Sequence, residues 1–173
     1  MKKIIIQLDK STLLIKRGDA FKLNLSHNDL YEVKEENDSL IIKETKKSIF
    51  KKARVELVVN NKLDSLDVIC TNDIELEDVE VVQINIKGDT NNVELNNVTS
   101  IISNISTTIG DVYIKSSKIE QLAINSDEGD LLINIKGNEE EYHIECAGMG
   151  DKKFAHNFLK LNSDGNIDHT FEL

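Results

Sequence analysis

The stretch Ile84-Asn85-Ile86-Lys87-Gly88-Asp89-Thr90-Asn91-Asn92-Val93-Glu94-Leu95-Asn96-Asn97-Val98 decides the fold. Two short runs, Ile84/Ile86 and Val93/Leu95, alternate aliphatic and polar residues on either side of a Gly-Asp-Thr-Asn-Asn turn. Such alternation marks strands buried on one face, and clusters of Gly, Asn and Asp mark turns. The pattern then returns at a fixed distance. Val55, Ile74, Val93, Val112 and Leu131 stand 19 residues apart, and Leu57, Leu76, Leu95, Ile114 and Ile133 repeat the spacing two residues later. Ile86, Ile105 and Ile124 form a third column. A period near 20 carried by strand-forming aliphatics is the signature of a solenoid. The fold expected is all-β: a single-domain, β-helix-like solenoid with rungs of about 19 residues.

Such a rung cannot fold alone, because its few aliphatics have nothing to bury against. Stacked in parallel, equivalent residues of successive rungs lie ~4.8 Å apart, and β-branched side chains suit a pleated column of that spacing. A β-propeller needs four strands in roughly 40–50 residues, often with aromatic signatures, and this chain has no Trp. A leucine-rich repeat would need a helical second half that is missing here.

The regular rungs occupy residues 51–136 of one domain spanning 1–173. Residues 1–50 alternate without the repeat, as in Phe21/Leu23/Leu25, Tyr31/Val33 and Leu40/Ile42, with turn signals at Asn28-Asp29 and Asn37-Asp38-Ser39. They read as a strand meander or hairpins that cap the N-terminal end. Residues 137–173 drift out of register: Tyr142, Ile144 and Cys146 read as a strand, Gly148-Met149-Gly150 and Asp151-Lys152-Lys153 as a loop, and residues 159–167 as one last rung. Atypical ends suit an open sheet edge that must be capped.

The formal net charge of −10, with only two arginines (Arg17 and Arg54), argues against nucleic acid as a partner. Two cysteines make no disulfide framework. Cys70 ends the alternating run Leu66/Val68/Cys70 and reads as a small core residue, the alternatives being a bridge to Cys146 or a reactive thiol. The N-terminal apolar run is too short for a signal peptide, and no stretch is long enough to span a bilayer. The compartment expected is the cytoplasm, with envelope association as the alternative.

The strand Val55-Glu56-Leu57-Val58-Val59, the run Leu66-Asp67-Val68, the turns Gly110-Asp111-Val112 and Gly129-Asp130-Leu131, and the lead-in Tyr31-Glu32-Val33 with Ser39-Leu40-Ile41-Ile42-Lys43 together resemble a bacterial adhesin-type family of β-strand-repeat proteins of unknown function. The resemblance covers roughly residues 20–172. It implies a β-solenoid without an established activity, and it carries over no active-site residue.

The remaining constellations are read on their chemistry. Asp73, Asn92, Asp111 and Asp130 lie 19 apart before each second strand. Their expected role is turn stabilisation, and a Ca²⁺ ladder is the competing reading. Lys43, Lys46, Lys47, Lys51, Lys52 and Arg54 form a basic cluster in an acidic chain. It is either a candidate patch for an anionic surface or a solvated stretch that protects an edge. His27, His143, His156 and His169 are scattered without zinc-ligand spacing. Neither a phosphate loop nor a Gly-x-Ser-x-Gly motif occurs. No catalytic, metal-binding or cofactor-binding residue is therefore expected. The function expected is a non-enzymatic binding or scaffold module, adhesin-like and linked to the bacterial envelope. Its partner would be an unidentified protein or envelope component, with self-association through ends or edges. The alternative is a polysaccharide lyase or hydrolase on the same fold. Tyr113, the only aromatic between residues 51 and 141, makes a sugar platform hard to build. Glu75, Glu77 and Glu94 read as solvated outward charges.

Overall fold

Alternation converts directly into strands in the computed structural model, which describes residues 2–46, 53–135, 143–149 and 152–154. The described strands are β1 (Lys3–Leu8), β2 (Thr12–Arg17), β3 (Lys22–Leu25), β4 (Tyr31–Glu36), β5 (Ser39–Glu44), β6 (Arg54–Val59), β7 (Leu63–Cys70), β8 (Ile74–Glu77), β9 (Glu80–Gly88), β10 (Val93–Asn96), β11 (Thr99–Ile109), β12 (Val112–Glu128), β13 (Leu131–Ile135), β14 (His143–Met149) and β15 (Lys152–Phe154). One 3₁₀ turn, Asn28–Leu30, precedes β4. The protein is all-β, built as one curled, open sheet.

The sheet folds back on itself into two layers. The first runs β4-β5-β1-β7-β9-β11-β12-β14, and the second runs β3-β6-β2-β8-β10-β12-β13-β15. β12 belongs to both: Val112 to Lys115 pair with β10, and residues from Lys118 onward pair with β11. Between these two parts Ser116 turns the chain at φ 51°. Among the described strands all pairings are parallel except β3 with β6 and β4 with β5. Val93 pairs with Ile74 on one side and with Val112 on the other, and Val112 pairs with Leu131, so these partners are 19 residues apart. Ile86, Ile105 and Ile124 are likewise in register.

Inward residues of both layers meet in one core. Val55, Leu57, Leu76, Val93, Leu95, Val112, Ile114 and Ile133 are fully buried. One inward row is broken: Leu66 and Ile84 are followed by Ser103 and then Leu122. The buried Ser103 hydroxyl is satisfied by the equally buried Ser100, at 2.6 Å. Gly110 and Gly129, at φ 156° and 141°, turn the chain before the second strand of their units. A Cβ on Gly129 would lie 2.2 Å from the Gly110 carbonyl oxygen, so close stacking of one turn on the next requires glycine there.

β4 and β5 form the hairpin expected at Asn37-Asp38, but β1 and β2 are placed differently from the expected meander. β1 and β2, one in each layer, form an interior rung of the stack, each running parallel to the strands on both sides of it. β1 lies between β5 and β7, with Ile4 paired to both Leu40 and Leu66. β2 lies between β6 and β8, with Leu13 paired to both Val55 and Ile74. Val55 and Ile74 are therefore not neighbours, and Leu13 stands between them; Ile15 likewise separates Leu57 from Leu76. β3 and β4, which follow β2 in sequence, form the antiparallel outer strands at that end.

The turn joining β1 to β2 fixes this insertion. The N–H groups of Asp9, Lys10 and Ser11 all donate to Glu44 Oε2, at 2.9, 3.0 and 3.1 Å. Ser11 Oγ bonds Tyr31 Oη at 2.6 Å, and the Cys70 thiol donates to the Ser11 carbonyl at 3.4 Å. Thr71 Oγ1 donates to the Asp9 carbonyl. The turn is thereby bonded to the strand pair below and to the one above. At the other end, β14 and β15 contain Gly148, Met149, Lys152 and Lys153, which had been expected in a loop. Tyr142 and residues 159–167 lie outside the described residues.

Ile6 is fully buried in the inserted strand. Ile6→Ala is therefore expected to lower the unfolding free energy by about 2–5 kcal/mol, as large-to-small changes in a closed core do. Leu95→Ala in the middle of the stack should cost a comparable amount. Urea denaturation checks this; a loss under about 0.5 kcal/mol for Ile6→Ala, the surface range, would place β1 at the periphery.

Candidate functional site

The outward side chains of the two layers form surfaces of different chemistry. On the first layer, one row runs Ser39, Lys3, Ser65, Gln83, Ile102 and Gln121, and its neighbour runs Ile41, Ile5, Asp67, Asn85, Asn104 and Ala123. Lys3 Nζ meets Asp67 Oδ2 at 3.0 Å. Asn85 Nδ2 donates to Asp67 Oδ1 at 2.7 Å, and Asn104 Nδ2 donates to Asn85 Oδ1 at 3.0 Å. This is an amide ladder, in which in-register stacking brings each side chain within reach of its equivalent. Burial pushes the Asp67 carboxyl up, but its bonds to Asn85 and Lys3 outweigh that and leave it below the usual value.

On the second layer the outward row is Glu56, Leu14, Glu75, Glu94, Tyr113 and Leu132, beside Lys16, Glu77, Asn96 and Lys115. Lys16 pairs with Glu56 at 2.7 Å, and Lys115 pairs with Glu94 at 2.6 Å. Lys115 also lies 5.7 Å from the centre of the Tyr113 ring, and Tyr113 donates to Asp111 Oδ2 at 2.8 Å. Glu75 is raised above the usual carboxylate range, by burial first and then by the neighbouring Glu77 and Glu94. A raised carboxyl beside other carboxylates is the pattern from which acid–base pairs are built. Here it stands on an outward strand face.

The Asx column does more than hold its own turns. Asp73 Oδ1 accepts the N–H of Asn92 at 3.1 Å, Asn92 Oδ1 that of Asp111 at 3.0 Å, and Asp111 Oδ1 that of Asp130 at 2.9 Å. Each side chain ties one turn to the next turn along the stack. Among the described residues no group of three or more His, Cys, Asp or Glu is placed to hold a metal ion.

The basic cluster is only partly described. Lys43 is exposed on β5 opposite Glu32, Lys46 lies 3.9 Å from Asp29, and Arg54 begins β6 with its N–H on Ser26 Oγ. Lys47, Lys51 and Lys52 lie outside the described residues. Lys43 and Lys46 thus stand beside carboxylates at exposed positions, where such pairs are individually weak, whereas the Arg54 bond to Ser26 is made by its backbone. Cys70 is a free, buried thiol whose pKa burial pushes up to about 12. A groove of about 520 Å³ opens where β2 leaves the stack, lined by Arg17, Asp19, Asp78, Glu80, Asn97 and Thr99. Arg17 bonds Glu80 across it at 2.7 Å. The groove had no signal in the sequence, because it arises from the inserted strand pair. No helix among the described residues is long and apolar enough to cross a membrane.

The Toastrack DUF4097 family model matches residues 2–151. The chain belongs to that family, a bacterial repeat-type family of unknown function. No curated protein matches the chain.

Two outcomes follow from the titrating groups. Because folding raises the Glu75 pKa, ionised Glu75 works against the folded state above the carboxylate range, and this penalty vanishes once the group is protonated in both states. Glu75→Gln should therefore raise Tm at pH 7 and lose that advantage below about pH 4. An equal gain at both pH values would remove electrostatics as the cause. In a Cys146→Ser background, Cys70 should resist a thiol-specific disulfide reagent in the native protein and react fully in denaturant. Prompt native reaction would contradict its burial.

Proposed function

We propose that this Toastrack chain is a non-enzymatic binding or scaffold module whose docking face is the outward surface of the first layer. The observation that carries the reading is the chemistry of that face. In a chain of formal net charge −10, its rows are dominated by Ser, Gln, Asn and Ile. Protein-binding surfaces are depleted in charge at their centres, and an amide ladder already held in register loses little side-chain freedom when a partner docks. On this reading the 19-residue rungs are a spacer that sets the length of the face. The partner is a protein or an envelope component, and the basic residues Lys43, Lys46, Lys47, Lys51, Lys52 and Arg54 are a secondary contact to an anionic surface. Adhesion is the form that this binding takes if the face is displayed outside the cell.

A second reading is favoured by one feature. Glu75, with its raised carboxyl, and Glu94, with Tyr113 beside it, offer an acid–base pair on the second layer to a polysaccharide. Capture from a native cell extract separates the two. The scaffold reading expects a discrete partner that is lost with Asn104→Lys and Gln83→Lys on the first layer and kept with Glu75→Gln and Glu94→Gln on the second. Turnover of an acidic polysaccharide that disappears in the Glu75 and Glu94 variants would overturn it.

A further inference from the structure

The end of the stack formed by β3 and β4 exposes an open strand edge whose side chains complement themselves. Among the described residues β4 pairs only with β5, through a two-residue turn at Asn37 (φ 48°) and Asp38 (φ 64°). In such a hairpin the residues flanking the turn exchange hydrogen bonds and the pattern then alternates. The Thr45 N–H donating to the Leu30 carbonyl at 2.8 Å fixes the same alternation at the far end. Leu30, Glu32, Lys34 and Glu36 thus spend their backbone groups on β5. The N–H and C=O groups of Tyr31, Val33 and Glu35 point to the open edge.

We propose that β4 pairs antiparallel with β4 of a second copy of this chain, about a two-fold axis at Val33. Two observations select this register, and a third favours an end-on copy. First, a two-fold axis perpendicular to the sheet must set residues of the same face opposite each other, and Val33 carries the edge-directed backbone groups that a central hydrogen-bonded pair requires. Second, in this register Glu32 faces Lys34 of the second copy, and Lys34 faces its Glu32. These are the closely spaced, non-hydrogen-bonded positions, where cross-strand side chains interact best. Centring on Lys34 instead would set Glu32 against Glu36. Third, Val33 is 40% exposed and Phe21 38% exposed, with Leu23 and Leu25 only partly buried on β3 at the same end of the stack. An end-on copy would cover them. In the single chain, Glu32 and Lys34 satisfy each other along the same face of β4 at 2.9 Å, and both side chains are about half exposed, so the pairs can exchange partners without unfolding anything. This interface goes beyond the docking face proposed above and does not depend on it.

Sedimentation velocity on the full chain across the micromolar range tests the register by charge exchange. Wild type should pass from monomer to dimer as concentration rises. Glu32→Lys alone and Lys34→Glu alone should each weaken the dimer by roughly tenfold or more, since two attractive cross-strand pairs become repulsive. An equimolar mixture of the two variants should form a heterodimer, because every pair is again of opposite sign. Far-UV circular dichroism should be unchanged in both, as the substituted side chains are exposed. A wild type that stays monomeric at every concentration would overturn the proposal. So would a dimer indifferent to Lys34→Glu, or a mixture with no heterodimer.

Discussion

Parallel backbone pairing between equivalent residues of successive strand pairs is the interaction on which the rest depends. It places Val93 between Ile74 and Val112, sets the inward aliphatics on one another, and brings outward Asp67, Asn85 and Asn104 within bonding distance. The Asx turns follow from the same register, since each side chain reaches the N–H of the equivalent residue one turn further on. A one-residue slip would exchange the inner and outer faces and break all of these contacts together.

This dependence makes the N-terminal strand pair a structural keystone. β5 and β6 reach β7 and β8 only through β1 and β2. The chain therefore completes the inserted pair's surroundings only after residue 77, which is the end of β8. Glu44 closes the arrangement by accepting three successive N–H groups from the β1–β2 turn.

The middle of the molecule was legible because its order in sequence is its order in space. The columns headed by Ile74, Leu76 and Ile86 are found in the structure in the register that their spacing predicts. The insertion was not legible from that period, because Leu13 and Ile74 pair across a long sequence separation with β3 to β7 between them. A weaker signal existed: Ile4 and Ile6 precede Leu13 and Ile15 by the same interval that separates Ile84 and Ile86 from Val93 and Leu95. Ser103 hid in the same way, since a serine in an aliphatic row is recognised only once Ser100 is seen to satisfy it. On the candidate surfaces, Glu75, Glu77 and Glu94 were read correctly as outward residues. The crowding that raises Glu75 depends on β8 and β10 lying side by side.

The central claim is that β1 is an interior strand, bonded on both edges. Native-state amide hydrogen exchange followed by NMR tests it most directly, because protection reports the opening free energy strand by strand. An interior β1 requires the amides of Ile4 to Leu8 to exchange as slowly as those of β9, through global unfolding. Exchange at the rate of a fraying terminus, with β9 still protected, would contradict it.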